Sequence, residues 1–214
     1  MQKNLTELVF ILDRSGSMAG LESDTIGGFN AMLEKQRKEP GRALISTVLF
    51  DDASQVIHDR VDIQRIEPMT DRQYFVRGCT ALLDAVGSAI THIRNVHKYA
   101  REEDRPEKTL FVITTDGMEN ASRHYSYDRL KEMIRQQQTR GWEFLFLGAN
   151  IDAAREAARF GIHRDCAADY HADKEGTAVI YEAVNQAVCA MRACQPRDSS
   201  WKRSVDKDYQ SRKR

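Results

Sequence analysis

The sequence lacks several features that would assign it to a particular class of protein. No apolar segment approaches the length of a transmembrane helix, and the short apolar run from Leu8 to Leu12 is not typical of a signal peptide. Lysine plus arginine balances aspartate plus glutamate at 32 residues each, so no overall charge favours nucleic acid or an anionic membrane. We therefore expect a soluble protein that binds neither a membrane nor nucleic acid.

Cysteine is scarce as well. The chain has four cysteines: Cys79, Cys166, Cys189 and Cys194. None of them belongs to a Cys-x-x-Cys pair, which argues against a zinc site or a disulfide framework. Reduced thiols are typical of the cytoplasm, and we expect the protein to be located there.

Apolar runs alternate with helical patterns along the 214 residues, which is typical of an α/β fold. The runs predict strands over residues 8–12, 43–50, 55–59, 108–115, 142–147 and 166–170. The helical patterns cover residues 21–38, 71–75, 81–103, 126–140, 152–160 and 176–194. The turn at residues 51–53 is so tight that its two strands must be antiparallel neighbours. The prediction is a doubly wound, Rossmann-like fold with helices on both faces of a mostly parallel sheet of about six strands, one of them an antiparallel edge strand.

The chain divides by pattern into a domain over residues 1–194 and a tail over residues 195–214. The tail contains seven basic and three acidic residues and shows no clear periodicity. Segments of this kind rarely bury enough apolar surface to fold. We therefore predict a basic, flexible tail.

Three short polar segments adjoin the predicted strands and helices. Residues 13–17 (Asp-Arg-Ser-Gly-Ser) follow the first strand, Thr80 precedes a long helix, and Asp116 follows the strand at 108–115. Loops at the carboxyl ends of neighbouring strands converge in a doubly wound sheet, so these residues are expected to meet. Hydroxyl and carboxylate oxygens are ligands that Mg²⁺ prefers. The pattern predicts a site for a small divalent cation.

The order and spacing of these segments resemble the metal-ion-dependent adhesion site (MIDAS) of von Willebrand factor A (VWA) domains. The resemblance covers residues 5–194 and is closer to small stand-alone bacterial members, including those of tellurite-resistance and stress gene clusters. It implies that Ser15, Ser17 and Thr80 contact Mg²⁺, or alternatively Mn²⁺, directly, while Asp13 and Asp116 act mostly through water. It further implies a binding module whose metal holds an aspartate or glutamate carboxylate of a partner protein.

Several residues near the predicted ligands are also candidates for a role at the site. The rim of the site, where a partner would lie, is predicted to include Arg14, Met18, Met118, Glu119 and Asn120. For Glu119 and Asn120 the alternative is ordinary hydrogen bonding within the loop.

Asp51 and Asp52 are either further cation ligands or residues that shape the hairpin turn, and the second interpretation is favoured. Asp84, in the first turn of a helix, is predicted to be structural.

A metal-dependent hydrolase or phosphatase is the alternative function, because magnesium at strand ends also serves phosphoryl transfer. Such chemistry needs a positioned nucleophile or base. No Asp-x-Asp motif follows a predicted strand, and the sequence contains no phosphate-binding G-x-x-x-x-G-K-[ST] loop and no G-x-S-x-G elbow. The sequence therefore favours binding without catalysis.

Overall fold

The computed structural model describes residues 2–195 and 199–212. Six strands form one sheet in the order β3-β2-β1-β4-β5-β6. Their bounds are β1 Gln2–Asp13, β2 Arg42–Phe50, β3 Ser54–Asp62, β4 Pro106–Thr115, β5 Trp142–Ala149 and β6 Ala167–Tyr170. All neighbouring strands are parallel except β2 and β3, which form the antiparallel hairpin at one edge. The predicted fold class is confirmed.

Within the described residues, six α-helices accompany the sheet. Their bounds are α1 Glu22–Arg37, α2 Leu82–Tyr99, α3 Tyr127–Gln138, α4 Ala153–Arg159, α5 Lys174–Arg192 and α6 Arg203–Ser211. Helices α1, α5 and α6 contribute to one apolar core cluster, and α2, α3 and α4 contribute to the other. Helices therefore cover both faces of the sheet.

The central strand β1 shows why the sheet is covered on both faces. Leu8, Phe10 and Leu12 belong to one core cluster, whereas Val9 and Ile11 belong to the other. Successive side chains of a strand point to opposite faces, so an unbroken apolar run requires a helix layer on each side. Burial of each such side chain stabilises the fold by roughly 1.5–3 kcal/mol.

The helix predicted over residues 71–75 is absent. The chain makes a single turn there, in which the Gln73 and Tyr74 amides donate to the Thr70 carbonyl at 3.0 and 2.9 Å. Tyr74 is then buried, and its hydroxyl donates to the backbone carbonyl of Asp13. This contact holds Tyr74 against the end of β1, and the turn does not continue as a helix.

The flexible tail predicted for residues 195–214 is wrong for the part beyond residue 198. Ser199–Lys202 form a 3-10 turn that leads into α6. Trp201 and Val205 are buried, and the Trp201 indole donates to the Asp165 carbonyl at 2.9 Å. These apolar anchors outweigh the basic composition. Residues 196–198 and 213–214, predicted as parts of the linker and tail, lie outside the described residues.

Within residues 2–195 and 199–212, no helix is both long and apolar enough to cross a membrane.

Candidate metal centre

The predicted ligand residues lie at the carboxyl edge of the sheet, at the point where the strand order reverses. Strand β1 has β2 as its neighbour on one side and β4 as its neighbour on the other side. The chain passes from β1 to β2 and β3 and later returns to β4. Crevices at such switch points are the usual ligand sites of doubly wound sheets. Asp13 ends β1, and Asp116 follows the last residue of β4.

Four of the predicted ligands form one continuous network of oxygen atoms. The Ser15 and Ser17 hydroxyl oxygens are 3.0 Å apart, and the Thr80 hydroxyl donates to Ser15 Oγ at 3.1 Å. The Ser17 hydroxyl donates to Asp116 Oδ1. Three loops distant in sequence therefore supply adjacent oxygens, as the sequence analysis predicted.

Asp13 lies beside this network and is fixed by its own hydrogen bonds. Its Oδ1 accepts from the Ser15 amide at 2.7 Å, and its Oδ2 accepts from the Thr115 hydroxyl at 2.7 Å. Burial raises the pKa of Asp13, although these hydrogen bonds oppose the increase. The carboxylate is thus held in one orientation by neutral donors.

Asp116 carries the observation that most directly indicates a cation. Its Oδ2 atom is buried and has no hydrogen-bond partner among the described residues. Burial, and then the charge of Asp13, raises the pKa of Asp116 to about 6 against the hydrogen bond from Ser17. A buried carboxylate oxygen without a donor is costly unless a cation or water binds it. The donor set therefore fits a divalent metal ion.

Gly117 gives the hydroxyl groups room to converge. A Cβ atom at this position would lie 3.2 Å from both Ser17 Oγ and Thr80 Oγ1. Such a contact is tight, so a larger residue would displace two of the proposed ligands. Ser17 is exposed although Asp13, Ser15, Thr80 and Asp116 are buried, so the network reaches the surface at Ser17.

The loop after β4 caps α2, the helix that begins just after Thr80. The Leu83 amide donates to Glu119 Oε2 at 2.9 Å, and the Asp84 amide donates to Ser122 Oγ at 3.0 Å. These bonds satisfy amides that a helix amino terminus leaves without a partner. In addition, the Asn120 side chain accepts from the Thr80 amide at 2.9 Å, so the loop also fixes a proposed ligand.

The rim prediction is wrong for Arg14 and Met18. Both side chains are buried, at 0% and 2% exposure, and neither can meet a partner at the surface. Arg14 directly follows β1 and forms an ion pair with Asp51 instead. Met18 packs in the core cluster that contains α1 and α5.

The other three rim residues differ from one another. Met118 is 62% exposed, two positions after Asp116. Asn120 is exposed as well, but it is hydrogen-bonded to both the amide and the carbonyl of Thr80. Glu119 has both carboxylate oxygens engaged within the loop and at the start of α2. Contact with a partner stays a prediction for these residues.

Asp84 has the structural role that was predicted. Its carboxylate accepts from the amides of Arg123, His124 and Tyr125 at 2.8–2.9 Å. Burial would raise the pKa of Asp84, but these three hydrogen bonds outweigh burial and lower it. The side chain thereby fastens the loop before α3 to the first turn of α2.

Asp51 has a role that the sequence analysis missed. Its Oδ2 atom accepts from both Arg14 Nε and Arg77 Nε, each at 2.8 Å. An arginine directly after an apolar strand is a usable signal, because a buried arginine needs a carboxylate partner. Asp51 directly follows β2, the neighbour of β1, and is therefore the residue that this signal could have found.

No protein-family model and no curated protein sequence matches the chain. Several solved structures resemble it. Proximal thread matrix protein 1 from the mussel byssus, with a zinc-occupied MIDAS motif, matches at 15% identity with a TM-score of 0.59 over 86% of this chain. Manganese-loaded TRAP protein from Plasmodium vivax matches at 15% identity with a TM-score of 0.57 over 84% of this chain. The vWF domain of the pilus tip protein Mfa5 from Porphyromonas gingivalis matches at 9% identity with a TM-score of 0.61 over 86% of this chain.

These similarities define the class of fold, a doubly wound α/β sheet of the von Willebrand factor A type. The match covers 94% of the Mfa5 domain, 73% of the TRAP chain and 46% of the mussel protein, so this chain spans about half the length of the last. At these identities the likeness is one of fold.

Proposed function

We propose that the protein is a metal-dependent binding module that holds Mg²⁺ and uses it to bind an aspartate or glutamate side chain of a partner protein. The proposed metal ligands are Asp13, Ser15, Ser17, Thr80 and Asp116. The observation that carries the proposal is the continuous oxygen network that ends at the unpartnered Asp116 Oδ2. The zinc and manganese named for two of the similar structures belong to those proteins, and they support a divalent metal here.

The chemistry of the donors explains why a partner carboxylate would bind. Ser15, Ser17 and Thr80 contribute neutral oxygens, and Asp13 and Asp116 contribute the two negative charges that offset a dication. Asp13 already accepts hydrogen bonds at both oxygens, which supports a role through bound water. A bound Mg²⁺ or Mn²⁺ would act as a Lewis acid with coordination positions left for an anion. The exposed Ser17 marks where that anion would approach.

We further propose that the protein binds without catalysis and is located in the cytoplasm. We also propose that it is one of the stand-alone bacterial VWA proteins that its sequence resembles. The four cysteines, all within the described residues, form no disulfide, which supports a reducing compartment. Phosphatase substrates assayed with and without Mg²⁺ test the catalytic alternative. Turnover that disappears in Asp116→Ala would contradict binding as the sole function.

Metal binding is tested by isothermal titration of the chelator-treated protein with Mg²⁺ and with Mn²⁺. We expect one site per chain, and we expect its loss in the Ser15→Ala/Ser17→Ala variant, whose fold is checked by circular dichroism. At a metal concentration 100 times Kd, the wild type should gain about 2.7 kcal/mol of unfolding free energy. An absence of heat and of stabilisation with both metals would contradict the proposal.

The partner carboxylate is tested on the Mn²⁺-loaded protein by water-proton relaxation. A carboxylate that enters the metal's coordination shell displaces water, so a glutamate-containing peptide should lower the relaxation enhancement. The same peptide with glutamine in place of glutamate is the control. Equal effects of the two peptides, or no effect of either, would contradict carboxylate recognition while leaving metal binding intact.

A further inference from the structure

We propose that Asp51 is a positioning residue that preorganises the metal site by fastening two ligand-bearing loops to each other. The proposal rests on the metal-binding function proposed above. We call the group formed by Arg14, Asp51 and Arg77 the Asp51 clamp. None of its members belongs to the proposed ligand set.

The side chains of the clamp converge on a single oxygen atom. Asp51 Oδ2 accepts from Arg14 Nε, next to Ser15, and from Arg77 Nε, three residues before Thr80. Asp51 Oδ1 accepts from the Ala53 amide at 3.0 Å, which fixes the carboxylate itself. One carboxylate therefore connects the loop after β1 with the loop before α2.

Backbone hydrogen bonds continue the same connection. The Ala81 amide donates to the Asp51 carbonyl at 2.9 Å, and the Arg77 amide donates to the Arg14 carbonyl at 2.9 Å. The Gly16 amide donates to the Gly78 carbonyl at 3.1 Å. Ser15 thus lies between two residues that are bonded to the other loop, and Thr80 directly precedes a residue bonded to Asp51.

Burial indicates that the clamp is more than a turn-forming contact. The side chains of Arg14 and Asp51 are only 1% and 3% exposed, so removal of the carboxylate would leave a buried guanidinium without its counter-ion. Arg14 also donates to Gln55 Oε1 at 2.8 Å and to the Gln73 carbonyl at 3.2 Å, which connects it to β3 and to the segment before α2. Phe75 lies beside both guanidinium groups, with its ring centroid 5.3 Å from Arg14 Cζ and 5.1 Å from Arg77 Cζ.

The expected consequence for the metal follows from preorganisation. Ser15 Oγ and Thr80 Oγ1 come from the two clamped loops and lie 3.1 Å apart. If the loops were free to separate, metal binding would have to restrict them, and affinity would fall by that entropic cost. Residues that orient metal ligands without touching the metal typically change affinity by about 10- to 100-fold when mutated.

The test is Mn²⁺ affinity, measured by electron paramagnetic resonance titration of the full chain, in Asp51→Asn and in a matched control. We expect Asp51→Asn to weaken Mn²⁺ binding by about 10-fold or more. The control is Glu7→Gln, because Glu7 is also a buried carboxylate between two side chains, Arg60 and His97. It should lower stability in chelator while leaving Mn²⁺ affinity within about twofold of wild type, which separates positioning from general stability.

Arg77→Ala keeps the proposal testable if Asp51→Asn does not fold. The Arg77 side chain is 52% exposed, so its removal should be tolerated and should weaken Mn²⁺ binding by about threefold. A folded Asp51→Asn with wild-type affinity, or an Arg77→Ala with wild-type affinity where Asp51→Asn does not fold, overturns the inference. An equal loss of affinity in Glu7→Gln also overturns it. Failure of the wild type to bind Mn²⁺ would instead overturn the proposed function.

Discussion

Buried carboxylates at the two ends of the central strands differ in the partners that bind them. Near the amino end of β1, Glu7 is fully buried, and its two oxygens are bound by Arg60 Nε at 2.7 Å and His97 Nε2 at 2.6 Å. At the carboxyl end, Asp13 and Asp116 are equally buried but are bound by hydroxyl and N–H groups, and Asp116 Oδ2 is left without a donor. Burial alone therefore does not mark a binding site. What supports the proposed site is a buried carboxylate without a counter-charge among the described residues.

The largest expected effect is at the amino end. Glu7→Ala leaves Arg60 and His97 without their shared partner, and breaking such a buried pair costs about 3–5 kcal/mol. Urea unfolding in chelator measures the loss. A change under about 1 kcal/mol would show that the amino-end carboxylate is not structural, and the comparison would fail.

At the carboxyl end we expect the opposite sign. Asp116→Asn removes a charge whose burial is unfavourable in the metal-free protein, so stability in chelator should rise by about 1–2 kcal/mol. The same variant should lose the stabilisation that Mg²⁺ gives the wild type. Parallel urea titrations with chelator and with excess Mg²⁺ measure both. A variant that is less stable than wild type in chelator would show that the Asp116 charge is not unfavourable in the metal-free protein.

Asp84 lies between these two cases. Its donors are neutral, as at Asp116, but both of its carboxylate oxygens accept hydrogen bonds, as at Glu7. We expect a smaller effect from its removal. Hydrogen bonds lower its pKa, so its contribution to stability is present above the unfolded-state pKa and is lost as pH falls through the folded-state pKa. We expect Asp84→Asn to cost about 1 kcal/mol at pH 6 and little at a pH below the folded-state pKa, where wild-type Asp84 is protonated. Urea unfolding of both proteins at the two pH values checks this. A pH-independent difference would show that the carboxylate charge is not what the three amides recognise.

Much of the fold could be predicted from the local sequence pattern, and the position of the proposed site could be predicted from the fold. The apolar run of β1 and the turn at residues 51–53 predict a mostly parallel sheet with one antiparallel edge, and such a sheet brings Ser15, Thr80 and Asp116 to one edge. The pattern could not predict the environment of Arg14, because whether a loop residue is buried depends on what neighbouring loops supply. Here they supply Asp51 and the Gln73 carbonyl.

Residues 195–214 also show that local sequence does not predict which residues become buried. The basic residues of this tail predict disorder, but composition does not reveal whether a complementary surface exists for Trp201 and Val205. That surface is made by α5 together with β6 and the turn before β6, and the last two lie before α5 in the sequence. The burial of Trp201 and Val205 therefore could not be predicted from the composition of the tail.

The segment from Ser199 to Ser211 also bears on self-association of the sheet. β6 is an edge strand, and edge strands expose backbone groups that can pair with another chain. The Lys202 ammonium donates to the Ala167 carbonyl of this strand at 2.8 Å, and α6 packs alongside β6. Shortened chains that end before Trp201 should thus be more prone to edge-to-edge aggregation, even where their metal site is intact.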